Sequence, residues 1–180
     1  MHPVTTELLE HLDRTRAVLR ETVDAVPPSL RERRPAPERW SVAEIVEHLS
    51  LVEDRLAQRI AAIPIADGTE PTPTYRPGAT VGSLDAARAL DRGRTVVAAE
   101  AVHPRAGCSF DVAWSALEES RQRLRDAVLA RDGVPPGDSR FTHPALGTLD
   151  IHQWVVFIGY HEERHAAQVR EVAAALLAAR

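Results

Sequence analysis

Apolar residues recur at three- and four-residue intervals in four long stretches of this sequence, and proline or glycine closes three of them before the chain ends. A stripe of that period makes one face of an α-helix apolar, and such a face must be buried against another. The first stretch, about 5–26, carries Leu8, Leu12, Leu19, Val23 and Val26 before Pro27-Pro28 stops it. The second opens on a capping box, Ser41 with Glu44, and on a hydrophobic staple between Trp40 and Ile45. Its stripe runs through Leu49, Val52, Leu56, Ile60 and Ile63 to Pro64. The third, about 109–131, places Val112, Leu117, Leu124, Val128 and Leu129 near one face. The last is expected from near residue 148 almost to the end, with Ile151, Trp154, Val155 and Ile158 leading to Val169, Val172 and Leu176. Segments 64–82 and 133–147 are rich in Pro and Gly and read as irregular connections. The stretch 83–101 has room for one extra short helix, weakened by Gly93 and by Thr95-Val96-Val97. No stretch alternates cleanly as a strand would. The expectation is an all-α four-helix bundle with long loops, forming one domain over residues 1–180.

Composition agrees and narrows the function. The aromatic share is 4% while 44% of residues are apolar, so aliphatic side chains must do most of the packing. There is no lysine, and the arginines alternate with Asp and Glu along the helical stretches. With a formal net charge of -4, this reads as solvated ion-paired faces rather than a nucleic-acid surface. The lone Cys108 excludes an intramolecular disulfide and fits a reducing compartment. The opening Met1-His2-Pro3 does not read as a signal peptide, and no apolar run is long enough for a bilayer. The expectation is a cytoplasmic protein with neither nucleic-acid nor membrane partners.

The histidines carry the chemistry. His161 and His165 lie one turn apart on the apolar face of the last stretch, seven and eleven residues after Trp154. Buried imidazoles without partners cost about 1–3 kcal/mol each, and a shared metal ion would satisfy both. His48, between Ile45 and Val52 on the buried side of the second stretch, is the candidate third ligand. Three histidines with an open position suit a catalytic metal, since structural zinc sites usually close with four ligands. The plainer reading makes His161 and His165 surface or carbonyl-bonded residues. His11 and His152 sit off the best apolar faces, His2 and His103 read as exposed, and His143 either rims a pocket or shapes its turn.

Glu162 follows a candidate ligand by one residue and is the candidate general base; its bland alternative is a surface glutamate beside Arg164. Glu44 is already explained by capping, and Glu47 and Glu53 read as outer or surface groups. His161-Glu162-Glu163-Arg164-His165 also fits the zincin pattern H-E-x-x-H. Only fifteen residues follow His165, with Glu171 their sole carboxylate, so the third ligand of a zincin is missing.

Two segments resemble a known family. Trp40-Ser41-Val42-Ala43-Glu44-Ile45-Val46-Glu47-His48-Leu49 resembles the first motif of the DinB/YfiT-like superfamily. Phe141 to Gly147, then Trp154 and Tyr160 to Gln168, resemble its C-terminal motif. The resemblance implies a four-helix bundle of unusual handedness, often a homodimer, with a divalent metal on the residues matching His48, His161 and His165. Zinc comes first among the metals, with nickel or iron as alternatives that imidazole also suits. It further implies a metal-dependent hydrolase, or a transferase of low-molecular-weight thiols such as bacillithiol or mycothiol, acting on a small-molecule substrate. The alternative is a non-catalytic metal- or ligand-binding stress-response module. A metal-free helical dimer is the third.

Overall fold

The computed structural model describes residues 1–65, 75–93, 98–136 and 138–179. Helix α1 spans Pro3–Asp24, with proline at its first position and the His2 ring accepting a hydrogen bond from the Val4 amide at 3.3 Å. Helix α2, Val42–Ala61, begins where the capping box requires. Ser41 Oγ accepts from the Glu44 amide at 3.2 Å, and Glu44 Oε2 accepts from the Ser41 amide at 2.8 Å. The short α3, Ala86–Leu90, starts on Asp85, and α4 spans Phe110–Leu129. The long α5, Ile151–Ala178, starts on a second capping box made by Asp150 and Gln153. That Asp-x-x-Gln signal places the start at Ile151 rather than near 148.

The connection before α5 corrects the strand-free reading. Strands β1 (Arg140–His143) and β2 (Gly147–Asp150) form an antiparallel hairpin, pairing Phe141 with Leu149. Four residues are too few to establish alternation in sequence. The hairpin is carried by its turn, where Gly147 takes φ 85°, and by its docking on α5. Leu149 is buried, and the Trp154 indole N–H donates to the Phe141 carbonyl at 3.2 Å.

Helix α1 packs along α5 and α2 along α4, and contacts between α2 and α5 join the pairs. On α4 the buried stripe is Phe110, Ala113, Trp114, Leu117, Arg121, Leu124 and Val128. Val112 and Leu129, expected near this face, are exposed. Each lies five residues from a buried leucine of the stripe, about 140° around the axis, which turns it outward.

The interior is two apolar clusters with a polar layer between them. One holds Leu19, Val23, Ile45, Leu49, Leu117 and Val169; the other holds Leu8, Leu12, Leu56, Leu124, Val155 and Ile158. Each of the four long helices crosses from one cluster to the other at a charged residue: Arg16, Glu53, Arg121 and Glu162. Arg16 pairs with Glu162 at 2.7 Å and with Glu53 at 3.0 Å. Arg121 pairs with Glu162 at 3.0 Å and also with Glu53. Ser120 adds a hydrogen bond to Glu53 at 3.1 Å and Thr15 one to Glu162 at 3.3 Å. Burial pushes the Glu53 carboxyl up, against the pull of Arg121. Two cations balance two anions, so the layer holds no net charge and its carboxylates are bonded, the condition under which buried charge is tolerated.

Candidate metal centre

Three imidazoles converge on one another elsewhere in the bundle. His48 projects from α2 and His161 and His165 from α5, with their Nε2 atoms turned toward one another. Nε2 of His161 lies 3.3 Å from that of His48 and 3.1 Å from that of His165. Two nitrogens bound at 2.0–2.1 Å to one tetrahedral ion stand about 3.3 Å apart, so the spacing fits a metal between them.

The outer nitrogens fix which face of each ring is free. His48 Nδ1 sits 2.7 Å from the carbonyl oxygen of Val102, which can only accept, so the proton is on Nδ1. His165 Nδ1 is 2.7 Å from Oε1 of Gln168 and donates likewise. Both rings therefore present a bare Nε2 inward, with the outer bond that metal-bound histidines usually have. His161 is held instead by stacking on Phe157, with centroids 5.1 Å apart and planes at 29°. Burial, followed by the neighbouring rings, pushes His161 well below its ordinary range. Burial likewise leads the depression of His165 and His48. All three are neutral at neutral pH, the state a metal ligand needs.

The centre opens on a cleft of about 1200 Å³. Residues of α2 and α5 form its walls, with the hairpin turn and the segment around Val102 at its edges. Trp40, Phe141, Trp154 and Phe157 give it an aromatic lining.

Glu162, the expected general base, does not join the histidine cluster. A residue one step from His161 points about 100° away around the helix. That direction sends the Glu162 carboxylate into the bundle, where Arg16, Arg121 and Thr15 occupy it, and it does not line the cleft. Glu53 is held by the same arginines. Glu44 is bound by Ser41 and Arg34, and Glu47 by the backbone and side-chain nitrogens of Arg105, each at 2.7 Å.

His143 does both things expected of it: it lines the cleft, and its Nδ1 accepts from the amides of Ala145 and Leu146 at 3.1 and 3.2 Å. Its proton is thereby fixed on Nε2. His103 is exposed yet also lines the cleft, edge-on to Trp40. His11, set aside in sequence, is buried and bonds the Val156 carbonyl at 3.0 Å. Burial and the Glu47 carboxylate raise the Cys108 thiol to about 12, which keeps it protonated and poorly nucleophilic. Sequence reasoning passed over Gln168 and the Val102 carbonyl. Gln168 was visible as a polar residue one turn after His165; Val102 acts through its backbone and left no signal.

A helical bundle with three converging imidazoles, two of which, His48 and His165, line a cleft, defines a class of candidate metalloproteins. The chain belongs to the DinB superfamily, whose pattern matches residues 11–169. It is similar to the uncharacterized protein YuaE of Bacillus subtilis (strain 168), at 27% identity over 144 residues, covering 78% of this chain and 81% of that one. Its fold is similar to that of TT2238, a four-helix bundle protein, with a TM-score of 0.58 and 18% identity over 93% of this chain and 98% of the other. Among the described residues no helix is long and apolar enough to cross a membrane.

Proposed function

We propose that this protein binds one divalent metal ion, zinc in preference to nickel or iron, through His48, His161 and His165, and that it is an enzyme acting on a small molecule in the adjoining cleft. The observation that carries the reading is the convergence of three neutral imidazoles, with Nε2 of His161 at 3.3 and 3.1 Å from those of His48 and His165 and all three ligand atoms within 4.8 Å of one another. Bound there, a divalent ion would lower the pKa of a coordinated water or stabilise a thiolate at neutral pH. The protein's own groups hold His48 and His165 by their outer nitrogens and His161 by stacking, exclude water with aromatic walls, and offer the His143 Nε2–H as a donor at the cleft edge.

Of the two chemistries in view, transfer of a low-molecular-weight thiol fits the site better than hydrolysis. Water attack needs a base, and Glu44, Glu47, Glu53 and Glu162 are each held by an arginine. A metal-bound thiolate is already deprotonated and needs none.

Metal analysis of untagged protein, beside a His48→Ala, His161→Ala, His165→Ala variant, tests the site. About one equivalent in the first and none in the second is expected. Equal metal content in both would overturn it. Thiol-transfer and ester-hydrolysis screens of the loaded protein then decide the reaction. The homodimer that the family resemblance implies belongs to the same reading, and light scattering checks it.

A further inference from the structure

The cleft and the chain as a whole carry opposite charge. The formal net charge of the chain is -4, yet among the described residues the cleft is lined by Arg39, Arg55, Arg59, Arg92 and Arg164 against Glu38 alone. Three of these arginines have evident work. Arg39 and Arg92 pair with Glu171, at 3.6 and 2.7 Å, and Arg164 donates to the Asp91 carbonyl.

Arg55 and Arg59 are different. Among the described residues neither pairs with a carboxylate, and Arg59 rests over the Phe141 ring at 4.3 Å. Both belong to α2, seven and eleven residues after His48. At 100° per residue those steps bring them back to within about 20° of the His48 direction, so His48, Val52, Arg55 and Arg59 form one row facing the cleft. At 1.5 Å per residue the arginines stand roughly 10 and 16 Å along the axis from His48. Between them lie Val52 and Leu56, with Trp154, Phe157 and Ile158 on the α5 side.

We propose that Arg55 and Arg59 form an oxyanion subsite, and that the cleft takes an extended small molecule with a carboxylate or phosphate at one end, an apolar body, and its reacting group at the histidine centre. A pair of guanidinium forks suits planar or tetrahedral oxyanions through charge-assisted hydrogen bonds. The row supplies the spacing, and the aromatic walls supply cover for the body. The inference rests on the metal-centre reading only for the reacting end; the charged end stands on the arginines.

The test measures binding of 8-mercaptooctanoate and of its neutral amide by calorimetry, on zinc-loaded protein, on protein stripped with EDTA, and on an Arg55→Gln/Arg59→Gln variant. Both arginines are exposed, so this variant is expected to fold. The acid should bind the loaded protein about tenfold more tightly than the amide, the gain of a charge-assisted bond over a neutral one. That ratio should persist in the stripped protein, where both probes weaken for want of a partner for sulfur. In the double variant it should fall to about one. A ratio unchanged by the double substitution overturns the subsite. A ratio lost on stripping but kept in the variant also overturns it, since the metal would then be reading the anion. If stripping weakens neither probe, the metal-centre reading fails, while the acid-to-amide ratio still judges the arginines. Octyl phosphate against octanoate shows which oxyanion the pair prefers.

Discussion

Gly159 lies directly under the His11 ring: a Cβ built on this glycine would come within 2.2 Å of His11 Nε2 and 2.6 Å of its Cδ2. The glycine sits in the middle of α5, where it costs about 1 kcal/mol of helix propensity relative to alanine. Its absent side chain is what lets α1 and α5 approach closely enough for His11 to reach the Val156 carbonyl.

Gly159→Ala should therefore destabilise the protein in spite of the better helix former. Displacing the ring costs the buried hydrogen bond and adds overpacking, roughly 1–3 kcal/mol in a core of this kind. Chemical denaturation would show it, and His11→Ala combined with Gly159→Ala should recover part of the loss because the clash is relieved.

Acid should weaken the metal-free protein from about pH 6.5 downward. Burial lowers His11, His48, His143, His152, His161 and His165 alike. A lowered folded pKa means that the unfolded chain takes up protons first. The stability from these groups is complete above the unfolded value of about 6.5 and is lost as pH falls toward the folded values. Urea midpoints at pH 7.5 and 5.5 in the presence of EDTA should differ in that direction, and His11→Gln should reduce the difference. Equal midpoints would contradict the burial of these rings.

Gln168→Ala should loosen metal binding without unfolding the bundle. It removes the acceptor that orients His165 but no core volume, and partners of this kind are worth about 10–100-fold in metal affinity. Competition with a chromogenic chelator reads the affinity, and thermal melting of the EDTA-treated variant should match that of the wild type.

Glu162→Gln separates the two roles open to this residue. In the ion-paired layer its neutralisation leaves Arg16 and Arg121 short of a counter-charge, which should cost about 3–5 kcal/mol of stability, as for other broken buried pairs. Metal content should stay at the wild-type level. A variant of unchanged stability and abolished turnover would restore the general-base role.

Most of the frame was legible because it rests on periodicity and caps. Ser41 with Glu44 and Trp40 fixed the start of α2, and the stripe that follows it is buried nearly throughout. The three histidines were legible for the same reason: each occupies a core-facing position at helical spacing. What escaped depends on contacts between elements. The hairpin at 140–150 is made by docking on Trp154 and by a glycine turn, and neither has a period. Glu162 looked like a neighbour of the metal because adjacency in sequence is not adjacency on a helix. The pairing of Arg16, Glu53, Arg121 and Glu162 could not be read at all, since on a single stripe each looks like an ordinary charged surface residue.

That charged layer has a consequence for how the helices find their heights. Apolar stripes are forgiving, and a helix slid by one turn of 5.4 Å can still bury leucines against leucines. A guanidinium slid by that distance would leave its carboxylate stranded in the interior. With one member on each long helix, the quartet works as a four-part key that accepts one setting of the bundle. Glu162 is the residue after His161, and Glu53 is five residues beyond His48. The setting that closes the key is also the one that brings His48 of α2 against His161 and His165 of α5.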